Sequence, residues 1–266
     1  MSPDGDGVGE TPGTRDWAAR TYDRVSTPQL EWAAPVIERL ALRGSETVLD
    51  AGCGSGRVSE LLLRALPDGR LVAVDGSAAM LEQARERLTE RTDFVHSDLV
   101  ELDLSESVDV VFSNAVFHWI HDHRRLFERL HTALRPGGRI EAQCGGKGNT
   151  ARFTAALGEI SGRQPFATHL DGFNPHRFAS AEETEALLRE AGFEKVRCWL
   201  EPRPVRPPEP REFTRSVCLG AHLELLPEAL RDDFLERVME RIGENPEIDY
   251  VRLNISAGKG KRAAPA

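Results

Sequence analysis

The fold of this chain is decided by the segment VLDAGCGSG, residues 48–56. Residues 47–50, TVLD, are typical of a buried strand, and the following AGCGSG supplies a turn that needs residues without a Cβ. Apolar residues then recur at i, i+3, i+4, i+7 and i+8, the spacing of a helix with one buried face. These residues are Val58, Leu61, Leu62, Ala65 and Leu66. The segment therefore predicts a strand, a tight turn and a helix in succession.

Short apolar runs alternate with helix-period segments along much of the remaining sequence. Strands followed by helices in this way predict a parallel sheet with right-handed crossovers. The last strand, 248–256, carries polar residues at alternate positions, which indicates an edge strand or an antiparallel partner. The Pro-rich stretch 202–210 is a connector, and the helical stretch 211–243 is an insertion between the last two strands. The other predicted strands are 71–75, 93–98, 108–115, 139–144 and 195–200.

Composition narrows the class of protein. The chain has 266 residues, ordinary globular composition and a formal net charge of -9, which opposes attraction to nucleic acid. No apolar stretch approaches the roughly 20 residues that span a bilayer, and the N-terminus has no signal-peptide pattern. Four widely spaced cysteines favour neither a metal site nor disulfides. We therefore expect a cytoplasmic protein that acts on small molecules, without metal, membrane or nucleic-acid partners.

The position of an acidic residue after the glycine loop indicates which kind of ligand the loop binds. Asp75, at the end of the next predicted strand, lies 19 residues after Gly56, where a carboxylate can accept the hydroxyls of a ribose. The loop reads GxGxG, whereas the dinucleotide fingerprint is GxGxxG. Asp50 before the loop suits a cationic amino-acid group better than a pyrophosphate. An adenosine ligand with a cationic part is favoured over NAD and over a glycine turn without a ligand.

The segment from about Tyr22 to Asn149 resembles the class I S-adenosylmethionine (SAM)-dependent methyltransferases, in particular their trans-aconitate methyltransferase-like branch. The resemblance implies SAM as cofactor and a Rossmann-like, mostly parallel seven-stranded sheet with a reversed final hairpin. It covers about half of the chain. The motifs that carry it are VLDAGCGSG (48–56), VAVDGS (72–77), HSDL (96–99), SNAVFHWI (113–120) and LRPGGRI (134–140).

The same resemblance implies a set of cofactor-binding residues. Asp50 and Gly52 would lie by the methionine part of SAM, and Asp75 would hold the ribose. Two of the other assignments have plain structural alternatives, because Asp98 can cap the following turn and Asn114 can be an ordinary strand-end residue. Asp98 and Leu99 are otherwise assigned to the adenine edge, and Asn114 to the sulfonium region. The full expected set is Tyr22, Asp50, Gly52, Gly54, Gly56, Asp75, Gly76, Ser77, Asp98, Leu99 and Asn114.

The run FHWI at 117–120 resembles a segment of insect and plant small-molecule carboxyl methyltransferases, in which a tryptophan N–H and an upstream glutamine hold the substrate carboxylate. Trp119, Gln29 and His118 are therefore the expected acceptor-site residues. The resemblance implies O-methylation of a small carboxylic acid. Core packing is the alternative role for Trp119. N- or C-methylation with His118, His121 or His123 as base, and a non-catalytic SAM-binding scaffold, are the other functions considered.

The expected organisation is one domain over residues 15–257, between a disordered N-terminus (1–14) and a flexible basic tail (258–266). Its core comprises 44–145, 193–201 and 247–257. An α-helical cap is assembled from 15–43, 146–180 and 211–243. Phe166, Phe173 and Phe178 are expected to complete an enclosed apolar pocket for a small-molecule acceptor. The sequence leaves open whether the protein is a homodimer.

Overall fold

The computed structural model describes residues 27–88 and 91–261, with residues 27–31 described as backbone only. The predicted disordered N-terminus, the cap segment 15–26 with Tyr22, and the tail residues 262–266 lie outside the described residues. Within the two described ranges, no helix combines the length and apolarity needed to cross a membrane.

Seven strands form a single sheet in the order β3-β2-β1-β4-β5-β7-β6. Strands β1 to β5 run parallel to one another, and β7 runs antiparallel to both β5 and β6. The predicted mostly parallel sheet with a reversed final hairpin is thus confirmed. The strands are β1 (Thr47–Ala51), β2 (Arg70–Asp75), β3 (Thr92–His96), β4 (Val108–Asn114), β5 (Leu134–Gly145), β6 (Phe193–Pro202) and β7 (Val251–Lys259).

Helices cover both faces of this sheet, which explains why its central strands are almost continuously apolar. Two of the helices begin at a serine cap, because the Ser77 hydroxyl accepts the Met80 N–H and the Ser180 hydroxyl accepts the Glu183 N–H. The helices are α1 (Thr27–Leu40), α2 (Arg57–Arg64), α3 (Ala78–Arg87), α4 (His123–Ala133), α5 (Ala151–Ser161), α6 (Ala167–Leu170), α7 (Ala181–Glu190), α8 (Pro210–Phe213), α9 (Gly220–Leu225) and α10 (Glu228–Ile242), with a 3-10 turn at Phe117–Trp119 and a π-helical turn at Thr214–Cys218.

Three hydrophobic clusters hold these layers together. One cluster lies under α1, α2 and α3, and a second under α4 and α7 on the other face. The third cluster is formed by helices outside the sheet layers and includes Phe153, Leu157 and Phe234. Trp32 of α1 and Tyr250, just before β7, belong to this third cluster. The helices that follow β5 and β6 therefore have a core of their own.

The position of β7 corrects one reading of the sequence. The polar alternation of 248–256 suggested an edge strand or an antiparallel partner, and the edge reading is wrong because β7 lies between β5 and β6. Its alternate polar residues Arg252 and Asn254 are buried, with 2% and 0% of their surface exposed. Both side chains form hydrogen bonds inside the protein, Arg252 with Gln143 and Asn254 with Gln143 and Arg39.

The last strand is also displaced from its expected bounds. It starts at Val251 and runs to Lys259, three residues beyond the predicted end at 256 and into the predicted tail. Lys259 pairs with Phe193 of β6, and its ammonium donates to the carbonyl oxygens of His131 and Leu134, both at 2.7 Å. These bonds join the strand end to the end of α4. The glycine and lysine composition of this stretch hid its strand character.

We expect Lys259→Met to lower the free energy of unfolding by about 1–2 kcal/mol, because two charge-assisted hydrogen bonds from a half-buried ammonium are lost. Urea denaturation measures the change. Lys261→Met is the matched control at an exposed position and is expected to stay within about 0.5 kcal/mol of the unmodified chain. Equal effects of the two substitutions would show that the hydrogen bonds of Lys259 do not stabilise the fold.

Candidate active site

The turn between β1 and α2 is held against the end of β2. The backbone N–H groups of Gly52 and Cys53 both donate to the carbonyl oxygen of Val74, at 2.8 and 2.9 Å. Gly52, Gly54 and Gly56 have φ angles of +85°, +54° and +82°, in the left-handed region that side chains with a Cβ seldom adopt. The three glycines are therefore required by the path of the backbone.

Two of these glycines differ in what surrounds them. A Cβ on Gly52 would lie 2.3 Å from a methyl carbon of Val116, so this glycine is packed tightly against the chain after β4. A Cβ on Gly54 would meet nothing within 4 Å. The loop thus presents open space at its middle glycine, where a ligand can approach the backbone closely.

Asp50 is a buried carboxylic acid at the carboxyl end of β1. Its side chain is 2% exposed and accepts a hydrogen bond from the Ser59 hydroxyl at 2.6 Å. Burial raises its pKa to about 7, against the lowering effect of the Ser59 bond and with a smaller contribution from the charge of Asp75. A cation placed beside this carboxyl would stabilise its charged form.

Asp75 ends β2 and clamps the loops on either side of it. Its carboxylate accepts the Gly54 N–H at 2.8 Å and the Ser77 N–H at 2.9 Å. Burial raises the pKa of Asp75, and these backbone bonds only partly oppose that effect. Gly76 lies between Asp75 and Ser77 in the chain, and its carbonyl oxygen is 2.9 Å from His96 Nε2. The carboxylate is thereby fixed at the mouth of the glycine loop.

The residues predicted for the adenine edge have local roles in the fold. Asp98 is exposed and accepts the Val100 N–H at 3.0 Å, so the turn-capping role is present. The Leu99 side chain is 5% exposed and packs in the core, which leaves only its backbone for a ligand. Asn114 ends β4 opposite Gln143, directly before Ala115, which lines the cavity described next. Contacts of these residues with SAM stay predictions.

A cavity of about 450 Å³ lies at the same end of the sheet, between the 3-10 turn after β4 and the separate helical layer. A cavity of this size accommodates a medium-sized organic molecule. Phe173 and Phe178 line it as expected. Phe166 does not, because it is 1% exposed and packs against Phe234 with ring centroids 4.9 Å apart. The described lining includes Trp32, Ala115, His118, Trp119, Phe153, Leu157, Gly158, His176, Val217, His222, Tyr250 and Arg252.

His118 and Trp119 both reach this cavity. The Nδ1 atom of His118 accepts the Gly145 N–H at 3.3 Å, so the neutral ring carries its proton on Nε2 and is a donor there. Burial holds the pKa of His118 well below its usual value, with further lowering by His176 and Arg252. Trp119 packs on His176 with ring centroids 4.2 Å apart. Together they give the cavity an aromatic wall with N–H donors.

The other two histidines of this segment do not line the cavity. His121 is exposed, and His123 is 1% exposed within the first turn of α4. The Nε2 atom of His123 is 2.9 Å from the carbonyl oxygen of Phe117, which fixes the ring in the fold. Gln29 is placed only by its backbone in α1, so its predicted contact with an acceptor stays a prediction. No group of three metal-ligating side chains occurs among the described residues.

Arg252, the buried arginine of β7 that lines the cavity, is not among the residues predicted for the site. Its Nε donates to the Gln143 side-chain oxygen at 3.2 Å, and its guanidinium carbon lies 4.4 Å from the Trp32 ring centroid. The guanidinium brings a permanent positive charge into a region largely shielded from water. The polar alternation of the last strand was its signal, but that pattern also fits an exposed strand.

Buried polar side chains hold Arg252 in place. Gln143 donates to the Asn254 side-chain oxygen at 3.2 Å, and that oxygen also accepts from Arg39 at 3.2 Å. Arg39 in turn forms an ion pair with Glu141 at 3.0 Å. A chain of hydrogen bonds thus runs across β5 and β7 to α1 and fixes the orientation of the guanidinium.

Comparison with known proteins decides the family. The chain is 30% identical over 234 residues to a trans-aconitate 2-methyltransferase of Acidovorax sp. (strain JS42), covering 86% of this chain and 90% of that protein. The chain belongs to the class I SAM-dependent methyltransferases, on their trans-aconitate methyltransferase-like branch. The methyltransferase is also 38% identical over 128 residues to the enzyme of the same name from Rhodopseudomonas palustris (strain BisB18), covering half of that relative.

The profile of the methyltransferase domain family matches residues 48–138, from β1 into β5. Solved structures share the fold at low sequence identity. The YcgJ protein of Bacillus subtilis is 16% identical, with a TM-score of 0.62 over 87% of this chain and 99% of that one. A Haemonchus contortus phosphoethanolamine N-methyltransferase, solved with S-adenosylhomocysteine, is 18% identical, with a TM-score of 0.61 over 91% of this chain and 57% of that one.

SAM is the cofactor of this methyltransferase, and the residues around the loop fit it. Asp50 and Asp75 are buried carboxyl groups whose pKa values burial raises, so their surroundings do not fully compensate a negative charge. A ligand that carries a cationic sulfonium and an ammonium group would supply positive charge beside them. The open space at Gly54 admits it next to the loop backbone.

We expect Gly52→Ala to lower the free energy of unfolding by about 2–5 kcal/mol. The left-handed backbone contributes about 1–2 kcal/mol, and forcing a methyl group against Val116 contributes about 1–3 kcal/mol. Urea denaturation followed by tryptophan fluorescence measures the loss.

Gly54→Ala is the matched control, because it has a positive φ but no neighbour within 4 Å, and we expect a loss of about 1–2 kcal/mol. The double variant Gly52→Ala/Val116→Ala should recover part of the difference. Equal losses for the two single variants would show that the contact with Val116 does not restrict this position.

Proposed function

We propose that this methyltransferase transfers the methyl group of SAM to a carboxylate oxygen of an organic acid bound in the cavity. The observation that carries the proposal is the buried guanidinium of Arg252 in the cavity wall. Arginine binds carboxylates through paired, charge-assisted hydrogen bonds, which are stronger away from water. The names of the relatives describe methylation of an organic acid, which agrees with this choice.

On the donor side, each predicted residue has a role that suits its position. Asp75 would accept the ribose hydroxyls, since its carboxylate is fixed by two backbone N–H bonds at the loop mouth. Asp50, with Gly52, would face the methionine part. Asp98 and Leu99 would meet the adenine edge, Leu99 through its backbone. The wider set also includes Tyr22, Gly54, Gly56, Gly76, Ser77 and Asn114.

On the acceptor side, the protein's task is to bind and orient the acid. SAM, when bound, supplies an electrophilic methyl group, and an ionised carboxylate can take it without losing a proton. Arg252 would hold the carboxylate, and the N–H groups of Trp119 and His118 Nε2 are further donors on the same wall. Gln29 of α1 is the predicted partner of Trp119. Exclusion of water by the aromatic wall would strengthen all of these bonds.

The protonation of His118 argues against N- or C-methylation with this residue as base. A general base must offer a lone pair to the substrate, but Nδ1 is engaged by the Gly145 N–H and Nε2 carries the proton. A SAM-binding scaffold without catalysis has no use for a charged cavity beside the donor site. Carboxylate methylation needs none of these histidines as a base, and it uses the charge that is present.

Incubation with labelled SAM and a panel of acids, amines and phenols tests the proposal. We expect label to be transferred to acids as a base-labile ester. Arg252→Met should lower kcat/KM for the acid by about 10- to 100-fold, the loss of one charge-assisted contact, mainly through KM.

Arg135→Met is the control for this variant, because Arg135 is an exposed arginine in an ion pair with Asp109 and does not line the cavity. We expect its kcat/KM to match that of the unmodified enzyme. Base-stable label on an amine or a carbon would overturn the carboxylate assignment. An unchanged KM in Arg252→Met would show that Arg252 does not bind the carboxylate of the acceptor.

The affinity for SAM should depend on pH through Asp50. With a pKa of about 7 in the free protein, this carboxyl is protonated at lower pH and cannot pair with the ammonium group of SAM. Affinity is therefore greatest above about pH 8 and falls as the pH drops through 7. We expect the Kd for SAM to rise by up to about fivefold between pH 7 and pH 6, measured by calorimetry.

Asp50→Asn removes the titrating group while keeping its shape. We expect this variant to bind SAM more weakly at pH 8 and to show a flatter dependence on pH. If the Kd for SAM stays constant from pH 5.5 to 7.5 in the unmodified enzyme, Asp50 does not pair with the ammonium group of SAM.

A further inference from the structure

The wall of the cavity is polar as well as aromatic. A small number of polar groups that converge on one place is what fixes the orientation of a bound ligand. The side chains that converge most clearly are those around Gly145, at the carboxyl end of β5. Hydroxyl, imidazole and amide groups in the lining come from Thr154, Ser161, His118, His176, His222 and Asn149.

Gly145 brings two of these side chains together. Its N–H donates to His118 Nδ1 at 3.3 Å, and a Cβ on this glycine would lie 3.0 Å from Asn149 Nδ2. The same Cβ would lie 2.8 Å from a ring carbon of Phe178. A side chain at residue 145 would therefore displace its neighbours. The glycine allows the His118 ring and the Asn149 amide to approach the same point of the backbone.

The fold holds the Asn149 amide in one orientation. Asn149 is 5% exposed, and its side-chain oxygen accepts the Val251 N–H at 2.9 Å, at the start of β7. Because the oxygen is engaged by β7, the other end of the amide is Nδ2, which carries two N–H donors. Among the described residues, none accepts a hydrogen bond from Nδ2. Asn149 therefore brings fixed donors to the wall of the cavity.

His118 supplies a second neutral donor beside Gly145. Its Nδ1 accepts a hydrogen bond, so the proton of the neutral ring is on Nε2. When a carboxylate is methylated, an anion and a sulfonium cation become a neutral ester and a neutral thioether, with the electrons of the broken C–S bond left on sulfur. Neutral donors can hold the anion while opposing this loss of charge less than a cation does.

We propose that Asn149 Nδ2 and His118 Nε2 hold one oxygen of the acceptor's carboxylate and so orient the other oxygen toward the methyl group of SAM. This inference rests on the proposed function, because it concerns the same acceptor in the same cavity. Arg252 pairs with Gly145 across β5 and β7, and residues opposite each other in an antiparallel pair point to the same face of a sheet. The amide, the imidazole and the guanidinium are thus placed on one side of the strand end.

Asn149→Asp tests the inference on the full chain. This variant keeps an oxygen for the Val251 N–H and replaces the two N–H donors with a second, negatively charged oxygen. We expect kcat/KM for the best acid of the panel to fall by at least about 100-fold, with a higher KM, because a donor is lost and like charges repel. The melting temperature should stay within about 3 °C, and the Kd for SAM should change by less than about threefold, since the glycine loop is untouched.

Asn149→Ala and Asn245→Asp distinguish this contact from other effects. If Asn149 only supported β7, Asn149→Ala would impair activity and Asn149→Asp would not, and that result would overturn the inference. Asn245 is an exposed residue after α10 and does not line the cavity, so Asn245→Asp adds the same charge elsewhere. Its kcat/KM should stay within about twofold of the unmodified enzyme. Equal losses in the two aspartate variants would also overturn the inference.

A double variant tests whether the two donors hold the same group. His118→Phe keeps an aromatic ring in the stack with Trp119 and removes the Nε2 donor. Two side chains that bind one oxygen have coupled effects. We therefore expect the loss of kcat/KM in His118→Phe/Asn149→Asp to be at least about threefold smaller than the product of the two single losses. A double loss equal to that product would overturn the shared contact.

Calorimetry with S-adenosylhomocysteine in place of SAM separates this inference from the proposed function. Unchanged kinetics of Asn149→Asp on an acid that the unmodified enzyme methylates would overturn the inference and leave carboxylate methylation intact. If the unmodified enzyme binds acids but methylates none, the proposed function fails. A Kd for the acid that is at least about tenfold higher in Asn149→Asp would then still support the amide as a carboxylate contact, and an unchanged Kd would overturn it.

Discussion

Two hydrogen bonds to one oxygen atom hold the donor site together. The N–H groups of Gly52 and Cys53 both donate to the Val74 carbonyl, which draws the turn after β1 onto the end of β2. This position brings the Gly54 N–H to the carboxylate of Asp75, and the same carboxylate reaches Ser77 at the start of the next helix. The turn, the acid and two helix starts are therefore fixed as one unit.

Buried charge distinguishes the two halves of the active site. The donor half contains carboxyl groups, Asp50 and Asp75, whose burial favours their neutral forms and leaves them suited to a cationic ligand. The acceptor half contains the guanidinium of Arg252. Placing a charge away from water is costly, and a ligand group of the opposite sign would stabilise each of these side chains. This arrangement suits a cationic donor and the anionic acceptor proposed above.

The sequence pointed to the loop residues and to several aromatic residues of the cavity, but not to the arginine in the cavity wall, for a physical reason. The loop glycines, Asp50 and Asp75 are set by local spacing, because a strand, a turn and a helix place them within about 25 residues of one another. Arg252 depends on Gln143, which is 109 residues away in the chain. No local pattern reports such a pairing.

Alternation of polar residues was the weakest guide to the fold. It describes the period of a strand correctly, but it does not tell whether the polar face meets water or a buried network. In β7 the polar face meets Gln143 and Arg39 through Asn254, so an apparent edge strand is an interior one. The end of the strand at Lys259 escaped detection because Gly258 and Lys259 are poor strand formers that the antiparallel pairing with β6 overrides.

The helical layer above the sheet has a hydrophobic core that is distinct from the two clusters packed on the sheet. Mutations in that layer can accumulate without disturbing the packing under the glycine loop, because distant and separately packed sites contribute to stability nearly independently. During divergence, the helices can be remodelled by drift and selection while the sheet is conserved as an inherited scaffold. The part of the cavity wall that these helices supply can then change while the glycine loop and its carboxyl groups are retained.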